Sequence, residues 1–401
     1  MVTTLNIEQE KSSEFPAVSI CNINRKKNLF KKLHDKIYGA PLLISERRSI
    51  FQCNDKQIIN SATAQKSLID YYRLSAKGRY AAGHRHLELI QKCVFRDHPC
   101  RDHYFTLFQN FRYGNCVTFN KRIQNTTALS VSETGPGSGL ILELYLEEFL
   151  YTSHIVGARV IIHDPDSTPS PEDEGFNISP GYETFVSLKK TTTYRLPAPF
   201  RDKCVDYREC KGFSISNKNE CVRACIQVQN YEKCNCTDKT LVVMSDLTPC
   251  NMSNDAEMCC LNDVIDNLAN IKPICDCPQP CRFVNFNEKL SMAIWPSKAL
   301  VRKEEKYIAP DKDILRLNVF YSTLERTTYT QKPMFEKYEL LSFLGCELGL
   351  WLGLSLIAVF EFIEKIPSVS KKAFTNINLK RSRKKVTQQN ILFQNYVGFK
   401  K

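Results

Sequence analysis

Leu340 to Phe360 reads LLSFLGCELGLWLGLSLIAVF, with Glu361 and Glu364 just beyond it. At about 1.5 Å per residue these 21 residues reach roughly 30 Å as a helix, the thickness of a hydrocarbon core. No other stretch of the chain is long and apolar enough to cross a bilayer. A plain anchor has no use for Gly345, Gly349, Gly353, Ser342, Ser355 and the carboxylate of Glu347. A charge at mid-membrane costs about 2.5–3.5 kcal/mol even on the lenient insertion scale. The run therefore reads as a pore-lining helix.

Charge sets the orientation of this span. The net charge is +12 over 401 residues. The last 37 residues, Lys365 to Lys401, hold ten Lys/Arg and no acid, which leaves +2 for the rest. A basic tail beside a span reads as its cytoplasmic side, able to touch anionic headgroups. Its position favours the membrane over nucleic acid, so no nucleic-acid partner is expected.

Of 18 cysteines, 17 precede the span and Cys346 lies within it. That density predicts disulfides and an oxidising compartment. Zinc is the competing reading, but Cys234-Asn-Cys236 and Cys275-Asp-Cys277 have gaps of one residue where zinc sites use two to four. No histidine lies between Cys204 and Cys281. Sequons at Asn125, Asn177, Asn235 and Asn251 fit a secreted face. Residues 1–14 are polar and charged, with no signal peptide, so the ectodomain reads as truncated at its N-terminus.

Several subdomains are expected at this length. Strand signals cover Ser138–Glu147, Gly157–His163, Thr184–Tyr194 and Asp313–Tyr321, while Ala62–Leu74 and Glu257–Asn270 are helix-compatible. Residues 164–182 read as a loop with four prolines and five carboxylates, and residues 204–281 hold twelve cysteines. Strands thus flank a cysteine-stapled insertion, and the last strand feeds the span.

Five segments carry a family resemblance. They are Phe15-Pro-Ala-Val-Ser-Ile-Cys-Asn22, Gly114-Asn-Cys-Val-Thr-Phe-Asn120, Tyr194-Arg-Leu-Pro-Ala-Pro-Phe200, Leu290-Ser-Met-Ala-Ile-Trp-Pro-Ser-Lys-Ala299 and Gly353-Leu354-Ser355. In this order they resemble the degenerin, epithelial sodium channel and acid-sensing ion channel family, most closely its acid-sensing type. The cytoplasmic N-terminus and first membrane helix of that family are absent. The resemblance implies an α+β fold. A cysteine-rich ectodomain spans 15–339, with a β-sheet palm, a finger at about 27–110 and a thumb at about 200–281. A pore helix at 340–364 and a cytoplasmic tail at 365–401 complete the chain.

It also implies disulfide pairs: Cys21 with Cys116, Cys93 with Cys100, Cys204 with Cys281, Cys221 with Cys277, Cys225 with Cys275, Cys234 with Cys259, and Cys236 with Cys250. Cys53, Cys210 and Cys260 are left over. The implied function is one subunit of a homo- or heterotrimeric, amiloride-sensitive sodium channel of the plasma membrane. Its ectodomain is extracellular, it needs no cofactor or metal, and it has no enzymatic activity. The alternatives are a non-conducting truncated or regulatory subunit and a single-pass cysteine-rich receptor.

By the same resemblance Gly353, Leu354 and Ser355 form the selectivity filter. Gly349 falls at the amiloride site, Ser342 at the degenerin gating site, and Glu361 and Glu364 at the inner mouth. On a helix, Ser342, Gly345, Cys346, Gly349 and Gly353 share roughly one 100° sector, whereas Ser355 points roughly 200° away from Gly353. If both face one pore, the helix breaks there. A bare small-xxx-small packing face is the competing reading of the glycines.

The gating stimulus stays open between protons, a peptide, force and constitutive opening. Proton gating in the family uses carboxylate pairs between a loop and the thumb. Here Asp166 holds one such place beside Ser167, and the thumb places fall on Leu261 and near Ile265. Asp164, Glu172, Asp173 and Glu174 stand nearby.

Overall fold

The computed structural model describes residues 1–25, 52–53, 56–57, 71, 74–123, 127–146, 155–207, 217–241, 247–251, 254–270, 275–297, 313–352, 355, 357–358 and 360–366. Its β-branched and aliphatic runs form two sheets. The larger holds β1 (Val2–Gln9), β6 (Ile90–Phe95), β7 (His98–Pro99), β11 (Leu140–Tyr145), β14 (Tyr182–Tyr194), β15 (Arg282–Ile294) and β16 (Ile314–Lys332). Its order is β15-β14-β16-β11-β6-β7, with β1 also on β16. The smaller sheet runs β13 (Phe176–Ile178), β12 (Ala158–His163), β3 (Ala17–Asn22), β9 (Gly114–Phe119), β8 (Phe105–Asn110). Two small ladders join β2 (Ser13–Glu14) to β10 (Ser130–Val131) and β4 (Gln52–Cys53) to β5 (Lys56–Gln57).

Strand β14 pairs antiparallel with β15 without a slip, from Tyr182↔Ile294 to Tyr194↔Arg282. It runs parallel to β16. Parallel neighbours need a crossover, and the cysteine-rich insertion together with β15 lies between these two in sequence.

The core lies where the inner faces of the two sheets meet. Leu140, Leu142, Leu144, Leu315, Leu317 and Val319 of the larger sheet join Val18, Ile20, Val117, Phe119 and Val160 of the smaller in one buried cluster. Each such side chain contributes roughly 1.5–3 kcal/mol when fully buried. Phe15 sits at the seam, edge-on to Phe95, Phe119 and Tyr321 at 5.2, 6.4 and 6.2 Å.

The quoted motifs now have physical reasons. Gly114 has φ +79°, and a Cβ there would lie 2.7 Å from the Arg25 carbonyl oxygen, so only glycine opens this strand. Cys116 bonds Cys21 directly across the β3–β9 ladder. Asn120, at φ +62°, donates to the Phe15 carbonyl at 2.7 Å and accepts from the Leu129 N–H at 2.7 Å. In the return-strand motif, Trp295 lies under the Arg316 guanidinium, 4.2 Å from the ring centre.

Short helices α1 (Ala76–Ala82) and α2 (His86–Leu89) precede β6. The insertion is built on α3 (Lys218–Cys234) and α4 (Asp255–Asn270), which pack on each other. Helix α3 starts at Asn217, whose side-chain oxygen accepts the Glu220 N–H at 2.8 Å. Bridges Cys204–Cys281, Cys221–Cys277, Cys225–Cys275 and Cys236–Cys250 form as the resemblance implies. So does Cys93–Cys100.

One pairing is corrected: Cys234 bonds Cys260 and not Cys259. Neighbouring helical residues point about 100° apart, and Cys260 is the one of the two directed at α3. Cys259 is also disulfide-bonded, so the expectation that Cys260 is left over fails as well. Cys236, Cys250 and Glu257 cluster together, but the two sulfurs are bonded to one another and Glu257 accepts the Asn251 N–H at 2.6 Å. No thiolate remains there for zinc.

The polar segment 1–14 also carries structure, since β1 joins the larger sheet and is exposed throughout. Arg326 on β16 holds it through Glu8 and Glu10, both at 2.9 Å. The loop-like segment 164–182 contains the short strand β13. Most of Ala62–Leu74, together with Cys210, Asn125, Gly353, Leu354 and the tail beyond residue 366, lies outside the described residues. Residues from Pro333 onward form a compact unit of their own with Met1 and Val2, and it contains α5 (Lys337–Leu352).

Candidate functional site

Helix α5 begins the apolar run and holds Ser342, Gly345, Cys346, Glu347 and Gly349. Its large apolar side chains are exposed in every direction, with Leu341 at 71%, Leu350 at 77% and Trp351 at 79%. A helix that is apolar all round belongs in a protein core or in lipid. Its sixteen residues span about 24 Å, less than a bilayer core. Among the described residues no single helix is long and apolar enough to cross a membrane.

Helix α5 is described as far as Leu352, and Ser355 is non-helical. The Ser355 hydroxyl accepts the Ala358 N–H at 3.1 Å, the contact an N-cap makes three residues ahead. Residues 357–358 and 360–366 are again helical, and Glu361 and Glu364 lie exposed on the latter. The Glu347 carboxylate accepts the Trp351 indole N–H at 2.7 Å, one turn along α5. That contact gives the carboxylate a partner on its own helix.

The second candidate element is the acidic loop after β12. It is held by arginines. Asp166 pairs with Arg122 at 2.7 Å, and Arg122 also pairs with Glu14. Asp164 lies 3.5 Å from Arg282. Arg223 of α3 reaches both Glu172 at 3.2 Å and Asp173 at 2.7 Å, and Asn110 donates to Glu172 at 2.6 Å. Asn217 and Asn219 add bonds to the Thr168 carbonyl and to Glu174, at 3.3 and 3.2 Å. The loop is thereby latched to the first turns of α3. At its end, Gly175 has φ +93° and a Cβ would meet the Val160 carbonyl oxygen at 2.2 Å, so the exit into β13 needs glycine.

Sequence reasoning missed Arg223, because an arginine on a helix reads as a solvated face. The carboxylates at 172–174 were the signal that could have found it. Of the thumb places taken from the resemblance, Leu261 is buried at 3% and Ile265 is exposed at 49%, and neither carries a carboxylate.

Two titrating groups lie near this loop. His163 is buried, its ring bonded to Ser19 at 2.8 Å and to Ser167 at 3.1 Å, and burial pushes it down to about 4. Burial pushes the Glu288 carboxyl of β15 up to about 7, with help from Glu174. A folded state that holds this proton more tightly than the unfolded chain loses stability as pH rises from about 4.5 to about 7. Glu288→Gln is therefore expected to raise the unfolding free energy by about 1–2 kcal/mol at pH 8, after discounting for partial exposure, and by almost nothing at pH 4. Thermal unfolding at the two pH values checks this, and an equal gain at both contradicts it.

Asn177, Asn235 and Asn251 are exposed. Asn235 closes α3 in the left-handed region at φ +56°, and the Asn177 side-chain oxygen accepts from Arg159 at 3.2 Å.

Comparison with known proteins points the same way. Residues 1–364 match the family described as "Amiloride-sensitive sodium channel". Acid-sensing ion channel 1A of Danio rerio is 28% identical over 392 residues, covering 89% of this chain and 74% of that protein. Acid-sensing ion channel 1 of Gallus gallus is 28% identical over 400 residues, covering 92% and 73%. Degenerin mec-10 of Caenorhabditis elegans is 28% identical over 356 residues, covering 84% of this chain and 49% of that protein.

Proposed function

The chain belongs to the amiloride-sensitive sodium channel family, a family of ion channels and not of enzymes, and from that premise we propose one subunit of a trimeric, sodium-selective channel of the plasma membrane. The observation that carries this reading is Ser355, which is non-helical between the apolar helix α5 and helical residues 357–358 and accepts the Ala358 N–H. A break in lipid leaves backbone carbonyls without partners unless they face water or protein. Carbonyls and hydroxyls from three copies of Gly353-Leu354-Ser355 would replace part of a cation's hydration shell. The two helical pieces together cross the bilayer, and the basic tail lies in the cytoplasm.

In this reading Ser342 and Gly349 line the outer pore, with Gly349 at the amiloride site and Ser342 where bulk holds the gate open. Glu361 and Glu364 attract cations at the inner mouth. The two sheets form the palm, the α3–α4 insertion is the thumb, and Asn125, Asn177, Asn235 and Asn251 carry glycans on the extracellular face.

Gating follows from the latch. With Cys260 in the α3–α4 ladder, the thumb places shift by one residue, to Asn262 and Asp266. The contact between loop and thumb nevertheless rests on Arg223 bound to Glu172 and Asp173. This contact joins a guanidinium to two carboxylates and is not a carboxylate pair. The channel is opened by a ligand or by force that displaces the latch.

The test is expression in oocytes, as the chain stands and with the N-terminal membrane segment of an acid-sensing relative fused ahead of Met1. An amiloride-blocked inward current from either form is the expected result. Surface-expressed protein without such a current, in both forms, contradicts the reading.

A further inference from the structure

We propose that Cys53 is the partner of Cys259, so that a disulfide ties the segment between β3 and β6 to helix α4. Adjacent cysteines on α4 point about 100° apart, so Cys259 and Cys260 serve different partners. Cys260 is bonded to Cys234. Cys259 is itself disulfide-bonded. The other bridges of the described residues use Cys21, Cys116, Cys93, Cys100, Cys204, Cys281, Cys221, Cys277, Cys225, Cys275, Cys236 and Cys250. Cys346 is a free thiol. Of 18 cysteines, only Cys53 and Cys210 are then unassigned.

Placement chooses between these two. Strand β4, which ends in Cys53, packs against α4. Its hairpin partner β5 sets Cys53 opposite Lys56 and fixes the backbone at that point. A bridge needs Cα atoms within roughly 4.4–6.8 Å, and of the two unassigned cysteines Cys53 is the one on an element that packs against α4.

The bond forms as each thiol gives up its proton. The two electrons pass to the disulfide of a secretory thiol–disulfide exchange protein, which leaves as a dithiol. Such a bridge closes a very long loop and so constrains the chain strongly. It also joins the proposed thumb to the finger segment, and a reductant applied outside would release that tie.

The experiment uses the full chain directed through the secretory pathway, alkylated without reduction, digested and mapped by mass spectrometry. The expected result is a linked species in which the Cys53 peptide is joined to the Cys259-Cys260 peptide. Cys53→Ser should add one alkylated thiol to the Cys259-Cys260 peptide, Cys259→Ser should add one at Cys53, and the double variant should add none. Cys210→Ser should leave both peptides unchanged. An alkylated Cys53 in the wild-type chain overturns the assignment, and so does a Cys259 thiol that appears in Cys210→Ser. The wild-type map decides even if a variant fails to fold.

Discussion

Ser355→Lys is expected to abolish the sodium current while the protein still reaches the cell surface. A lysine at this place sets a fixed positive charge within a few ångströms of any cation in the proposed filter. Two unit charges about 4 Å apart repel by about 4 kcal/mol at an effective dielectric near 20, roughly a thousandfold in occupancy. Three copies in a trimer would compound the barrier. Ser355→Ala separates charge from capping, because it loses the hydroxyl that accepts the Ala358 N–H. That loss should cost about 1 kcal/mol of helix stability and leave cation passage in place. Two-electrode recordings beside surface labelling check both variants. A lysine variant that conducts at the wild-type level would remove Ser355 from the pore.

Arg223→Glu is expected to unlatch the acidic loop from α3 and to create a pH dependence. The Arg223 side chain is only 20% exposed and Glu172 22%, so this pair is better sheltered than a surface bridge. Reversal removes two ion pairs and sets a third carboxylate between Glu172 and Asp173. Crowded carboxylates raise one another's pKa. Destabilisation of about 2 kcal/mol is expected at pH 7.5, with part of it recovered as the pH falls toward 5 and the cluster takes up protons. The double variant Arg223→Glu with Glu172→Arg should restore a crossed pair. Unfolding curves of the ectodomain at both pH values read the effect, and in the channel the variant should open more readily at neutral pH. An unchanged pH profile, or a double variant no better than the single, would contradict the latch.

Much of the fold was legible because chemistry and burial coincide. Val160, Ile161 and Ile162 announce a strand, and Cys116 opposite Cys21 fits the ladder they share. The order of strands was not legible. The β14–β16 pairing joins residues more than a hundred positions apart through side chains that look alike locally. Strand β1 escaped because its alternation is confined to Leu5 and Ile7 among polar residues, and neither side chain is buried. Cys259 and Cys260 could not be told apart by spacing, since only the angular position on α4 separates them. For the site, the sequence placed a non-helical Ser355 after the glycines, and the structure describes Ser355 as non-helical. Arg223 was not legible, since its role depends on a loop some fifty residues earlier in the chain.

The central claim is that this chain contributes to a sodium-selective pore. The most direct test is the reversal potential of the amiloride-blocked current as external sodium is replaced by a large impermeant cation. The account predicts a shift of about 59 mV toward negative potentials for each tenfold reduction, the Nernst slope for a monovalent ion. A reversal potential that ignores external sodium would contradict it.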